Sequence, residues 1–444
     1  MVQRKRGSLR KEIKKRTSRH RQIVTIVGIG YVGLPLACLC GERGYTTFGI
    51  SKDRAKVNLI NKGVSPIKGD ERLAGWVAKK SFTATTSFDS VKKSDIIVIC
   101  VPTPIDERHN PDLEPVRSAS KSIARFLKRG QLVIMESTVN PGVCEEIIQP
   151  ILEKGSGLVC GKDFYLAHSP ERINPGDPHW TVRNIPRCVG ATSAKGLQLS
   201  VKFYRSILEG EVRPMKSIKA AEATKIIENS FRDINIAFVN ELAKSFEVLG
   251  IDLVDVIEGS KTKPFAFMAH YPSCGVGGHC IPVDPYYLIE RARVAGFDHR
   301  FLKLARDINN SMPAYTVELL MKGLNQVRKP LKGTKIGLLG LSYKADVDDL
   351  RESPALDILK LLKSEGATVE VFDPFFPKES TTPDLATLLK RVEAIVVATN
   401  HREFLNISPA MLRKNNVKVV IDGKNCLDKE KIIAAGLIYR GIGR

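Results

Sequence analysis

Residues 22–33 of this chain are Gln-Ile-Val-Thr-Ile-Val-Gly-Ile-Gly-Tyr-Val-Gly, and this stretch decides the fold. Its first half is apolar and β-branched, which predicts a buried strand that ends at Gly28. Residues 34–43 have the pattern of a helix, which stops at Gly44. A strand, a G-x-G-x-x-G turn and a helix in this order predict a dinucleotide-binding unit.

The three glycines of the turn have separate tasks in such a unit. Gly28 permits the tight turn, Gly30 lets a pyrophosphate approach the backbone, and Gly33 allows close packing of helix on strand. The phosphates then lie at the helix N-terminus, where N–H groups and the helix dipole favour anions. Tyr31 and Val32 complete the predicted turn.

The residues after the second strand predict the choice of cofactor. Residues 46–50 form this strand, and an acidic residue is expected at its end to bind the ribose. Ser51 stands there instead, and Lys52 and Arg54 could bind a 2′-phosphate. Asp53 faces the ribose only if the turn is shifted. The sequence therefore predicts NAD as cofactor, with NADP also accepted.

Further strand and helix patterns extend to the C-terminus and predict an α/β fold. Two Rossmann-like, doubly wound parallel-sheet domains are joined by a long helix over residues 216–250, where glycine and proline are absent until Gly250. The predicted divisions are a basic disordered tail (1–21), an NAD(P)-binding Rossmann domain (22–215), a central helical domain (216–329) and a second Rossmann-like domain (330–444). The ligand of the last domain depends on the resemblance given below.

Composition limits the class of protein. The chain has 444 residues, 43% of them hydrophobic, and its apolar runs are far shorter than the ~20 residues of a membrane span. No apolar signal-peptide core follows the basic start. Nine scattered cysteines without metal-ligand spacing predict reduced thiols, no bound metal and a cytoplasmic protein.

The net charge of +21 is unevenly distributed along the chain. Residues 1–21 contain ten lysines and arginines but one acidic residue, Glu12. The segment could attract nucleic acid or anionic lipid, or be a solvated leader, and the second interpretation is favoured. No nucleic-acid partner is therefore expected.

A cysteine in a glycine-rich turn supplies the chemistry. Residues 277–284 are Gly-Gly-His-Cys-Ile-Pro-Val-Asp. Cys280 can attack an electrophilic carbon, and Asp284 can handle a proton or a water. Together with a hydride-acceptor site, this predicts oxidation through a covalent thioester. His279 is expected to position the turn without taking the thiol proton, because adjacent side chains rarely face each other. Cys274, six residues before Cys280, is an improbable redox partner.

Six motifs in order make the chain resemble the UDP-glucose/UDP-mannuronic acid dehydrogenase family over residues 22–425. They comprise residues 101–104, 136–142, 169–176, 221–229, 277–285 and 344–354. Two of them, Ser-Pro-Glu-Arg-x-x-Pro-Gly and Gly-Gly-His-Cys-Ile-Pro-x-Asp-Pro, resemble the branch that acts on UDP-N-acetylhexosamines. In the UDP-glucose branch a second glutamate tends to stand at the position of Pro175.

The resemblance implies roles for the motif residues. The implied catalytic residues are Cys280, Lys225, Asn229, Asp284, Thr138 and Glu171. The implied additional cofactor contacts are Pro102, Thr103, Thr138 and Arg351. The implied substrate contacts are Glu171, Arg172, Lys225, Asn229, Tyr271, Gly277 and Lys344. For Lys344 and Arg351 the alternative is a structural ion-pair network with Asp346, Asp348 and Asp349.

The implied reaction is a four-electron oxidation of UDP-N-acetylglucosamine or UDP-N-acetylmannosamine at C6, with two NAD(P)+ reduced, by a homodimer. Lys225 stabilises the oxyanion, while Asp284, Thr138 and Glu171 place or deprotonate the hydrolytic water. The alternatives are a UDP-glucose 6-dehydrogenase, a two-electron alcohol dehydrogenase or epimerase, and an inactive binding module.

Overall fold

The structure is a computed structural model and describes residues 22–67, 70–106, 111–173 and 179–444. The predicted basic tail and Pro175 lie outside the described residues. The chain forms two compact units. The first contains the described residues within 22–103 and 112–225, and the second contains those within 104–111 and 226–444.

The described strands of the first unit form one eight-stranded sheet. They are β1 (Ile23–Val27), β2 (Thr46–Ile50), β3 (Thr83–Thr85), β4 (Ile96–Ile99), β5 (Leu132–Met135), β6 (Tyr165–His168), β7 (Arg187–Ala191) and β8 (Val212–Pro214). Their order is β3-β2-β1-β4-β5-β6-β7-β8, and pairing is parallel except between β6 and β7. The order 3-2-1-4-5-6 is that of a dinucleotide-binding Rossmann sheet.

Helices cover both faces of this sheet. They are α1 (Gly33–Glu42), α2 (Arg54–Lys62), α3 (Glu71–Ala78), α4 (Glu114–Ala124), α5 (Gln149–Ser156) and α6 (Ala194–Ile207). One face packs on α1 and α6, and the other packs on α4 and α5. The central strands β4 and β5 are buried over their full length, which explains their continuous apolar sequence.

A single helix, α7 (Ile218–Leu249), runs for 32 residues and begins in the first unit and ends in the second. The predicted long central helix is therefore confirmed. The other helices of the second unit are α8 (Leu253–Lys261), α9 (Asp284–Val294), α10 (Arg300–Asn310), α11 (Met312–Gln326), α12 (Pro354–Ser364), α13 (Leu385–Leu389), α14 (Pro409–Lys414) and α15 (Lys429–Ala434).

The second unit contains the second predicted Rossmann-like sheet. Its strands are β9 (Lys335–Leu339), β10 (Thr368–Phe372), β11 (Ala394–Val397), β12 (Val419–Asp422) and β13 (Ile438–Gly441). All pairs are parallel, in the order β10-β9-β11-β12-β13. The predicted fold class is confirmed. Among the described residues, no helix is long and apolar enough to cross a membrane.

Candidate active site

The glycine turn after β1 has the geometry that the sequence predicts. Gly28 has a φ of +98°, and a Cβ added there would lie 2.5 Å from the Cys100 carbonyl oxygen. A Cβ on Gly33 would lie 1.9 Å from the carbonyl oxygen of Gly28, so only glycine fits. A Cβ on Gly30 would meet nothing within 4 Å, which leaves open space at the start of α1. The turn therefore fits a pyrophosphate.

Other predicted cofactor residues follow neighbouring strands of the first sheet. Ser51 follows β2, Pro102 and Thr103 follow β4, and Thr138 follows β5. Because parallel strands place their carboxyl ends at one edge of a sheet, the first unit brings these residues to the edge that carries the glycine turn.

At the predicted ribose position, the geometry favours Ser51 over Asp53 as the residue that contacts the ribose. The Ser51 hydroxyl accepts the N–H of Asp53 at 3.2 Å. Asp53 caps α2 and accepts the N–H groups of Ala55 and Lys56 at 2.8 and 3.1 Å, so its carboxylate is held at the helix. Lys52 and Arg54 are both exposed.

Cofactor selectivity gives a test of this arrangement. We expect Ser51→Asp to shift the ratio of kcat/KM for NAD+ over NADP+ about tenfold toward NAD+, because a carboxylate accepts the ribose hydroxyls and repels a 2′-phosphate. Steady-state kinetics with both cofactors measure the ratio. Ser51→Asn is the control for side-chain size without charge. An unchanged ratio in Ser51→Asp would place Ser51 away from the ribose.

A buried charge cluster that sequence reasoning missed holds Glu171. An Arg187 Nη2 group donates to Glu171 Oε2, and its Nη1 lies 3.3 Å from Glu136 Oε1. Tyr204 donates to Glu136 at 2.6 Å. The second oxygen of Glu171 accepts the N–H groups of Arg172 and Ile173 at 2.6 and 2.7 Å. These bonds favour a holding role for Glu171 over transfer of a proton.

Burial controls the ionisation of this cluster. It raises the pKa of Glu136, and the charge of Glu171 adds to the increase while Arg187 opposes it. Burial acts to lower the pKa of Arg187, but Glu136 and Glu171 raise it on balance. Arg187 is the first residue of β7. An arginine at the start of a strand does not by itself indicate a buried ion pair, because the sequence does not show which acidic residues lie near it.

The loop that carries Thr138 is held by another residue without a predicted role. Glu222, on α7, accepts the N–H of Gly142 at 2.6 Å and that of Cys144 at 2.9 Å. It is fully buried, and burial raises its pKa while the two N–H groups act against the rise. Lys225 lies three residues further along α7 and is the last residue of the first unit.

The second unit contains the cysteine turn. Cys280 precedes α9, and its carbonyl oxygen accepts the N–H groups of Val283 at 3.1 Å and Asp284 at 2.8 Å. Asp284 is buried at the start of α9, and Asn229 on α7 donates to its carboxylate at 2.5 Å. Within the second unit, Asn229 therefore contacts Asp284, and Asp284 contacts the backbone of Cys280, while their catalytic roles stay predictions. Thr138, Glu171 and Lys225 belong to the first unit.

The glycines before Cys280 pack on the loop between β9 and α12. The N–H of Gly278 donates to the Arg351 carbonyl at 3.0 Å. A Cβ on Gly277 would lie 2.6 Å from the Glu352 carbonyl oxygen, and one on Gly278 would lie 2.7 Å from the Tyr343 ring. Gly277 is thus required for close packing, and Lys344 lies next to Tyr343 in this loop.

Arg351 forms an ion pair with Asp349. Such a pair is the structural alternative to a ligand contact that the sequence analysis left open. Its guanidinium binds both carboxylate oxygens of Asp349, with Nε–Oδ1 at 2.9 Å and Nη2–Oδ2 at 2.6 Å. The Arg351 side chain is 48% exposed and Asp349 is 9% exposed. The pair holds Arg351 beside the cysteine turn, so its predicted cofactor contact stays a prediction.

A buried histidine fixes the same loop from the other side. His401 Nδ1 accepts the N–H of Asp346 at 3.0 Å, and Nε2 lies 3.1 Å from Asp373 Oδ2. Asp373 also accepts the N–H groups of Leu341 and Ser342. Burial acts to raise the pKa of Asp373, but these bonds hold it well below its usual range. Sequence reasoning assigned no role to His401.

The remaining predicted substrate contacts have partners within their own units. Arg172 donates to the Pro186 carbonyl at 3.0 Å. Tyr271 donates to Glu258 and lies 3.4 Å from Lys261 Nζ. Among the residues that the structure describes, no group of three or more His, Cys, Asp or Glu side chains could hold a metal ion.

A Rossmann sheet with this glycine turn, in a chain that also carries a cysteine turn, defines an NAD-dependent dehydrogenase. Three family domains match in order: the NAD binding domain over residues 22–208, the central domain over 219–311 and the UDP binding domain over 337–429. The chain belongs to the UDP-glucose/GDP-mannose dehydrogenase family. The predicted resemblance and the predicted NAD cofactor are confirmed.

The chain is also similar to characterised members of this family. It is 38% identical to the UDP-N-acetyl-D-glucosamine 6-dehydrogenase of Pseudomonas aeruginosa, over 92% of this chain and 98% of the relative. It is 35% identical to the UDP-N-acetyl-D-mannosamine dehydrogenase of Pyrococcus horikoshii, over 95% and 99%. A solved structure of UDP-D-ManNAc dehydrogenase from P. horikoshii has a TM-score of 0.88, with 95% of this chain and 99% of that chain covered.

Proposed function

We propose that this protein oxidises a UDP-N-acetylhexosamine, UDP-N-acetylglucosamine or UDP-N-acetylmannosamine, at C6 to the uronic acid. The observation that carries the proposal is the turn that places Cys280 with Asp284 and Asn229 in a chain whose first unit has a complete dinucleotide turn. The names of the relatives support the acetylated substrate over UDP-glucose. In the predicted three-domain division, residues 330–444 bind the UDP group.

Two molecules of NAD+, bound one after the other, would each accept one hydride, one for each oxidation. Gly28, Gly30 and Gly33 hold the pyrophosphate of the cofactor, and the residues at the carboxyl ends of β2, β4 and β5 hold the rest. The chain itself supplies the nucleophile. Cys280 adds to the aldehyde that the first oxidation leaves, and the second oxidation converts this adduct to a thioester.

Charges around the reacting carbon assist each step in this proposal. Lys225 stabilises the negative charge that develops on the substrate oxygen. Asp284, held by Asn229, orients the water that hydrolyses the thioester, and Thr138 binds this water. Glu171 holds the Arg172 segment that contacts the substrate, because its carboxylate already accepts from Arg187 and from two backbone N–H groups.

Cofactor stoichiometry across a substrate panel tests this function. We expect two NADH per uronate with either acetylated sugar, and a kcat/KM about 5- to 150-fold higher than with UDP-glucose, because a site built for the acetamido group leaves polar groups unpaired with a hydroxyl. Absorbance at the NADH band and chromatography of the UDP-sugars measure both. One NADH per sugar would indicate a two-electron dehydrogenase, and a preference for UDP-glucose would overturn the branch assignment.

We also propose a cytoplasmic homodimer. The nine cysteines form no disulfide bond in the part of the chain that the structure describes, as expected for a reducing compartment. The α7 residues Ile227, Phe231 and Phe238 share one helix face and are 59%, 49% and 56% exposed. Covering such a face with the same face of a second copy removes apolar surface from water, which is the usual arrangement in a two-fold dimer.

A further inference from the structure

The turn that carries Cys280 places the neighbouring His279 ring against the sulfur. His279 Nδ1 lies 3.0 Å from Cys280 Sγ, which is within hydrogen-bond distance for a thiol. Adjacent side chains point apart in a strand, but here the chain turns, since the Cys280 carbonyl accepts from Val283 and Asp284. The geometry therefore differs from the sequence-based expectation that His279 only positions the turn.

The loop between β9 and α12 packs on the glycines that precede this pair. Asp349 lies in that loop and is bound by Arg351, while the Tyr343 ring packs on Gly278 just before His279. Burial acts to raise the pKa of Asp349, but Arg351 first and the charge of His279 next hold it below its usual value.

Asp284 is the acidic group that α9 contributes near the cysteine. Its carboxylate accepts from Asn229 on α7 at 2.5 Å, and its N–H donates to the Cys280 carbonyl. This arrangement orients Asp284 by a side chain that cannot titrate. His279 Nδ1 lies within hydrogen-bond distance of the cysteine sulfur, and an imidazole is a group that can take up a proton near neutral pH.

We propose that His279 is a catalytic residue that takes up the thiol proton of Cys280 when the sulfur attacks the aldehyde carbon. The inference rests on the proposed function, in which Cys280 is the nucleophile. A positioned imidazole serves here as the general base for a neighbouring thiol, an arrangement that contributes typically 10²–10⁴-fold to rate.

The atoms and electrons balance through the sequence. The thiol proton moves to Nδ1, sulfur forms the C–S bond, and the carbonyl π pair becomes an alkoxide. The carbon of this adduct then loses a hydride to NAD+, the cofactor of this family. The electron pair on the alkoxide oxygen re-forms the carbonyl, which gives a thioester. Water then adds, the C–S bond breaks, and the departing sulfur takes back the proton held on Nδ1. From the aldehyde onward, these steps release the carboxylate, one NADH and two protons.

Alkylation of the free enzyme tests the proton transfer without any substrate. We measure the rate of iodoacetamide addition to Cys280 from pH 5.5 to 9.5 by peptide mass spectrometry, with His279→Asn and His279→Ala as variants. At pH 6.5 we expect the wild-type thiol to react at least ~10-fold faster than in either variant, and the variants to follow an ordinary thiol profile with a midpoint near pH 8.5. Buried Cys274 serves as an unreactive internal reference.

Turnover supplies the second readout. We expect His279→Asn to lower kcat at pH 7 by roughly 10²-fold or more with the KM for the UDP-sugar within about threefold. Identical alkylation profiles for wild type and His279→Asn would overturn the inference, as would a loss confined to KM. If an altered variant fails to fold, the wild-type profile decides, since ordinary reactivity at pH 6.5 also overturns it. Uronate formation by Cys280→Ala would instead refute the proposed function.

Discussion

Cys280→Ala is expected to lose uronate formation by a factor of at least ~10³, the largest effect predicted for any single side chain. The sulfur forms the bond that makes the second oxidation possible, and an alanine offers no electron pair. The first oxidation needs no thiol, so traces of the aldehyde or its hydrate should remain detectable. Uronate is measured by chromatography, and NADH release is measured on the same samples.

Cys274→Ala is the matched control for this substitution. Cys274 lies six residues away in the sequence, is fully buried, and donates to the Ala398 carbonyl at 3.4 Å. Burial raises the pKa of its thiol, so it is a poor nucleophile at neutral pH. We expect uronate formation within about tenfold of wild type. Comparable activity in Cys280→Ala and Cys274→Ala would refute the thioester mechanism.

Local sequence pattern was enough to predict the parts of the fold that local geometry determines. The strand β1, the glycine turn and α1 require specific residues within a dozen positions, so residues 22–33 identify them. The helix α1 is predicted over residues 34–43 and is found at Gly33–Glu42 for the same reason. The order of the remaining strands in the sheet, and the antiparallel pairing of β7 with β6, depend on contacts between residues far apart in the sequence, which a local pattern does not encode.

The candidate site was predicted only as far as its motifs extended. The resemblance implied roles for both Asn229 and Asp284, and in the structure Asn229 Nδ2 lies 2.5 Å from Asp284 Oδ2. The pairing of Arg187 with Glu136 and Glu171 joins separate strands and loops, and an arginine alone carries no signal for its partners. For His279, the sequence analysis assumed that adjacent side chains face apart, whereas the turn brings its Nδ1 within 3.0 Å of Cys280 Sγ.

Arg187→Met is expected to lower the free energy of unfolding by about 3–5 kcal/mol, because it leaves two carboxylates buried without a cation. Arg187 is fully buried, Glu136 is 1% exposed and Glu171 is 7% exposed. Methionine keeps much of the side-chain volume, so the loss reports charge and hydrogen bonding more than a cavity. Urea unfolding followed by circular dichroism measures it.

Arg129→Met is the control for removal of an ion pair at the surface. Arg129 binds Asp163 at 2.6 Å but is 73% exposed, so its removal should cost about 1 kcal/mol or less. Arg187→Lys retains the positive charge and should recover part of the loss in Arg187→Met. Equal stability of Arg129→Met and Arg187→Met would show that the buried cluster contributes no more than a surface pair.

The pH dependence of the Arg187→Met defect separates charge from packing. Burial already raises the pKa of Glu136, and loss of the guanidinium removes the nearest charge that opposes this rise. A carboxyl group whose pKa is raised in the folded state stabilises the protein below its unfolded pKa and destabilises it progressively as the pH rises. The stability gap between Arg187→Met and wild type should therefore be wider at pH 8 than at pH 5.5. A gap that is constant across this range would indicate that the substitution acts through packing alone.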